Sequence, residues 1–190
     1  KNKIKRLNPE ETSLHTIPVT PIGYGEAEKI IGKMKGDPVP SSWQGGLPYT
    51  YRIQGGNNLI VNLKVNQPRK IVRVYNVIGK LKGSTFPNEW IILGCHYDAW
   101  SFGATDPNSG TAMLLSLSET LGKMAKNGFR PKRSILIGHW DAEEHGVIGS
   151  TEWVEQMQKI LNSNAIAYMN FDGAVSGQNF GASSAPSLKR

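Results

Sequence analysis

The chain has 190 residues, 38% of them hydrophobic and 19% charged, and a formal net charge of +7. That is enough apolar material for one sizeable α/β domain with its own core, and it excludes a chain that is disordered throughout. Part of the basic excess sits in Lys1, Lys3, Lys5 and Arg6 and the rest is scattered without an aromatic platform, so no nucleic-acid partner is expected. The single cysteine, Cys95, allows no internal disulfide, and its place in an apolar strand pattern predicts a small buried side chain. No apolar run reaches the length of a membrane span, and no signal peptide is recognisable.

Residues 1 to about 20 are polar, carry Pro9 and Pro18, and read as a loose lead-in. Ala27, Ile30, Ile31 and Met34 share one side of a helical pattern over Gly25 to Met34, which Lys35-Gly36 stops. Gly36 to Tyr51, rich in Pro, Gly and Ser, reads as a connection. Two period-two stretches follow, Leu59 to Val65 and Val72 to Ile78, separated by the turn residues Asn66 to Arg69. They predict an antiparallel pair at the edge of a sheet, closed by a loop over Gly83 to Asn88.

From Trp90 the pattern changes. Trp90 to His96, Ser134 to Trp140 and Ala165 to Phe171 are continuous apolar runs, as expected for strands buried on both faces. Between them lie helical patterns over Ser109 to Lys126 and Thr151 to Leu161. The alternation predicts a mostly parallel sheet covered by helices, whose sites gather beyond the carboxyl ends of the strands.

Those ends carry the chemistry. The first run closes at His96-Tyr97-Asp98, the second at Asp141-Ala142-Glu143-Glu144, the third at Asp172, and Asp106 lies in the loop after the first. Crowded carboxylates raise one another's pKa unless something positive holds them. Imidazole with carboxylates suits zinc or a similar divalent ion. Taken singly, the acidic turn could be solvated, and Asp98 or Asp172 could cap a turn. Delivery of all these groups to one sheet edge favours a metal site. The residues alone do not say which of Glu143 and Glu144 would bind metal and which would move protons.

The order of these motifs carries a resemblance. His96-Tyr97-Asp98-Ala99-Trp100, Phe102-Gly103-Ala104-Thr105-Asp106-Pro107-Asn108-Ser109-Gly110, Trp140-Asp141-Ala142-Glu143-Glu144 and Gly149-Ser150-Thr151-Glu152-Trp153 resemble the glutamate carboxypeptidase II branch of the zinc aminopeptidase-like metallopeptidases. That branch includes the transferrin receptor. Ile17 to Tyr24 is similar to the tail of the family's apical, protease-associated domain. The resemblance implies a trailing piece of that domain over residues 1–65 and the first part of a zinc exopeptidase domain, with a mixed sheet flanked by helices, over 66–190.

By the same resemblance the site would hold two zinc ions. His96 and Asp172 would bind one, Glu144 the other, and Asp106 both. Glu143 would be the general base, and Asp98 would orient the His96 ring. Glu152 and Glu155 match two ligands of a structural calcium; the alternative is that they favour the dipole of a helix start. Tyr97, Trp100, His139 and His145 are expected to pack or to face solvent. A final histidine ligand and the substrate-carboxylate contacts cannot be placed before Arg190, so the chain is expected to be part of a longer enzyme and, alone, to be inert and to bind metal weakly. The expected substrates are small peptides; a homodimer and an extracellular, periplasmic or cell-surface setting are typical of the family. The alternative function is a non-catalytic module of the receptor type.

Overall fold

A computed structural model describes residues 7–13, 15–68, 70–175 and 177–189. The basic start at Lys1 to Arg6, Arg69 of the expected turn and Arg190 lie outside the described residues. The chain divides into two compact units, residues 1–70 and 71–190.

In the first unit, helix α1 runs Tyr24–Ile31, and the strands β1 (Lys35–Pro38) and β2 (Arg52–Gln54) pair antiparallel. The connecting stretch predicted between 36 and 51 is thus bracketed by a small ribbon, whose Gly, Asp and Pro residues carry no strand signal. Leu59 to Val65, expected as a strand, has no strand partner among the described residues, and Ile60, Val61 and Leu63 are exposed. Alternation describes how a paired strand sorts its side chains; without an edge to pair with it builds nothing.

The second unit holds a four-stranded sheet in the order β3-β5-β4-β6: β3 (Val77–Leu81), β4 (Phe86–His96), β5 (Arg133–Trp140) and β6 (Ala165–Asn170). β4 pairs parallel with β5 and β6, and β3 pairs antiparallel with β5. The sheet is therefore mixed, with an antiparallel edge as expected, but that edge begins at Val77, not Val72, and pairs with β5. Phe86 to Asn88, expected in a loop, opens β4.

Helix α2 (Asn108–Lys126) and helix α3 (Ile148–Asn164) cover opposite faces. Leu93, Cys95 and Ile137 pack with Leu114, Leu117 and Leu121 of α2, the spacing of one helix face. Trp90, Ile92 and Leu136 pack with Trp153 and Leu161 of α3. Successive residues of β4 point to opposite faces, which is why Trp90 to Cys95 had to be apolar without alternation. Cys95 is fully buried. β6 departs from expectation: its residues are mostly exposed, Ile166, Tyr168 and Met169 among them. Among the described residues it pairs only with β4, and an apolar composition does not by itself supply a cover.

Candidate metal centre

The carboxyl ends of β4, β5 and β6 bring the predicted groups together. His96, last residue of β4, is buried. Its Nε2 lies 2.9 Å from Asp106 Oδ1 and 3.2 Å from Asp172 Oδ1, with Glu143 Oε2 at 3.9 Å. Ligand-capable atoms of His96, Asp106 and Asp172 all lie within 4.8 Å of one another. A tetrahedral zinc ion with bonds of about 2.0–2.2 Å spaces its ligand atoms by roughly 3.3–3.5 Å, and the two distances from His96 Nε2 fall a few tenths of an ångström short of that.

The ring is held from behind. Asp98 presents its backbone carbonyl to His96 Nδ1 at 2.8 Å, which leaves Nε2 free to face the acids when Nδ1 carries the proton. The Asp98 carboxylate, 3.5 Å from Nδ1, is engaged elsewhere: it accepts the amides of Glu143 at 2.9 Å and Glu144 at 3.2 Å. Asp98 thus ties the end of β4 to the acidic turn after β5. That turn places Ala142 and Val147 at positive φ, 54° and 59°, conformations that cost non-glycine residues about 1–3 kcal/mol and persist only when the surroundings impose them.

Asp141, metal-capable by type, is used structurally. Its carboxylate accepts the amides of Tyr75 and Ala142 at 2.8 and 2.9 Å. Asn76 braces the same corner, accepting the Asp141 amide at 3.1 Å and donating to the Gly149 carbonyl at 2.7 Å. Sequence reasoning missed Asn76; its only signal was a polar residue inside an apolar strand pattern. Glu144 stands apart from the cluster, its Oε1 accepting the Trp100 amide at 3.3 Å. Glu152 and Glu155 are exposed on α3, and among the described residues neither belongs to a group of three ligand-capable side chains. His139 is buried with Nδ1 unpartnered, and its burial pushes its pKa down. His145 meets the Trp100 ring edge-on at 5.3 Å.

The electrostatics match a cation site. Burial works against the His96 imidazolium, but the Asp98 carbonyl, the charges of Asp172 and Glu143 and the bond to Asp106 outweigh it, so its pKa stands above the ordinary value. Burial, first, and then the neighbouring Asp172, Glu144 and Asp98 raise the Glu143 carboxyl, against the opposing pull of His96.

The sequence profile of peptidase family M28 matches residues 76–184. The chain belongs to peptidase family M28. It is 42% identical over 175 residues to a probable glutamate carboxypeptidase of Zea mays, covering 92% of this chain and 24% of that protein. A probable glutamate carboxypeptidase of Arabidopsis thaliana is 42% identical over 188 residues, 97% of this chain and 26% of its own length. A glutamate carboxypeptidase 2 homolog of Caenorhabditis elegans is 40% identical over 168 residues, 86% of this chain and 22% of its own length. The chain therefore spans about a quarter of the length of the curated relatives it matches. A solved M28 peptidase precursor from Shewanella amazonensis is 30% identical, with a TM-score of 0.44 over 49% of this chain and 21% of its own. The M28 match includes every strand end of the cluster, from His96 to Asp172.

Proposed function

We propose that the protein containing this chain is a metal-dependent exopeptidase acting on small peptides, with zinc as the metal. The observation that carries this reading is the meeting of His96, Asp106 and Asp172 at three neighbouring loop and strand ends, with Glu143 beside them, its Oε2 at 3.9 Å from His96 Nε2. His96 Nε2, Asp106 and Asp172 would hold the first ion. Glu144 would join a second, shared with Asp106, after exchanging its bond to the Trp100 amide. When bound, zinc polarises the scissile carbonyl and acidifies water.

This chain's residues supply the rest. Asp98 fixes the ring tautomer of His96 and, through the Glu143 and Glu144 amides, the direction in which both side chains leave the turn. Glu143, kept off the cluster and raised toward neutrality, is suited to take a proton from the attacking water and return it to the leaving amine. Residues 1–65 fit the trailing piece of a protease-associated domain, and the setting we assign is outside the cytosol; both rest on the family likeness.

Hydrolysis of acidic dipeptides and of amino-acid amides, followed with and without chelator, tests the reading on a polypeptide of the relatives' length that contains this chain. Chelator-sensitive release of a terminal residue is the expected result. Turnover of neither class, or turnover indifferent to chelator, would overturn it.

A further inference from the structure

Asp106 and Asp172 come from different loops and point like charges at one imidazole nitrogen, an arrangement that tends to spring apart. One side chain ties those two loops together. Ser109, half-buried in the first turn of α2, donates its hydroxyl hydrogen to the Thr105 carbonyl at 2.5 Å. The same oxygen accepts the amides of Ala174 at 2.9 Å and Val175 at 3.4 Å. A serine hydroxyl has one hydrogen and two lone pairs, and all three are spent here. Thr105 immediately precedes Asp106, and Ala174 follows Asp172 by two residues.

The first of these bonds is a common local habit of serine in a helix. The other two join residues 65 and 66 positions away in sequence, which helix capping does not require. The backbone beneath is equally close. A Cβ at Gly110 would fall against the carbonyl oxygens of Phe171 and Asp172, and the nearest atom to a Cβ at Gly173 would be the Thr105 methyl, at 3.7 Å.

We propose that Ser109 is a positioning residue of the metal centre: its hydroxyl sets the separation of Asp106 and Asp172 before any ion arrives. This rests on the metal reading given under Proposed function. Side chains that orient ligands without touching the ion typically change metal affinity by about 10–100-fold when removed. Ser109→Ala deletes the tie and leaves the two carboxylates to their repulsion. Ser109→Thr keeps the hydroxyl.

The test takes a polypeptide of the relatives' length that contains this chain, titrates zinc into the wild type and both variants, records the visible spectrum of each with cobalt(II), and measures the urea midpoint of each without metal. Ser109→Ala is expected to bind zinc about 10–100-fold more weakly with an altered cobalt spectrum, and Ser109→Thr to restore both. Equal zinc affinity in wild type and Ser109→Ala would overturn the proposal while leaving the metal reading standing. So would a weakened Ser109→Ala with an unchanged cobalt spectrum, since that is general destabilisation, or a threonine variant as weak as alanine. No zinc uptake by that wild-type polypeptide would overturn the metal reading and the positioning role with it.

Discussion

Two glycines of α2 should respond in opposite ways to the same substitution. Ala is favoured over Gly in a helix interior by about 1 kcal/mol. Gly122 is exposed, and a Cβ there would meet nothing within 4 Å, so Gly122→Ala should stabilise the chain by about 0.5–1 kcal/mol. Gly110 is buried, and a Cβ would overlap the Phe171 and Asp172 carbonyl oxygens. Backbone atoms cannot swing aside as a side-chain tip does. Either α2 lifts from the sheet or the Asp172 segment moves, at a typical overpacking cost of about 1–3 kcal/mol. The net expectation for Gly110→Ala is a loss of about 0–2 kcal/mol, since the helix preference offsets part of the clash. A second readout separates this from ordinary destabilisation. Moving Asp172 should also weaken zinc binding by about tenfold or more, whereas Gly122→Ala should leave it alone. Urea denaturation and zinc calorimetry on both variants make the comparison. A Gly110→Ala chain as stable as Gly122→Ala and with wild-type zinc affinity would refute the claim that the approach of α2 to the end of β6 sets the Asp172 position.

Further outcomes follow from the same geometry. Asp98→Ala should cost about 2–4 kcal/mol, because two amides of the acidic turn lose a charged acceptor; Asp98→Asn, keeping one carbonyl oxygen, should cost less in the same denaturation assay. Glu143→Gln should keep zinc affinity within a few-fold and abolish hydrolysis, while Asp172→Asn should lower both, as calorimetry and turnover will report. In the metal-free chain, His96 and Glu143 both hold protons more tightly folded than unfolded, so stability should fall as pH rises from about 4.5 for Glu143, and from about 6.5 for His96, through their raised folded values. Zinc must displace the His96 proton, so its affinity should change in the opposite sense and climb over the same upper range. Urea midpoints in chelator and zinc titrations across that range check both signs; stability rising with pH in the metal-free chain would contradict them.

The local patterns of the second unit were legible because burial on two faces leaves a plain signature. Trp90 to Cys95 and Ile135 to Gly138 carry no polar side chain, and the helices between the strands repeat at three and four, so strand, helix and strand end follow from composition and period alone. That His96, Glu143 and Asp172 lie at or just beyond strand ends was written in the chain order. Pairing was not. Leu59 to Val65 alternates as well as any strand and has no strand partner among the described residues, because an edge is provided by another segment and not by the stretch itself. β6 is as apolar as β5 yet is exposed among the described residues, where it pairs with β4 alone. Only the tertiary structure put Asp106 and Asp172 on one nitrogen of His96, spent Asp141 on the Tyr75 amide, and brought the Ser109 hydroxyl to the Ala174 amide 65 residues away. Sequence specifies which groups can bind a cation and on which element each one ends. The distances that make them a site come from how the elements pack, a property that no single stretch of the chain possesses.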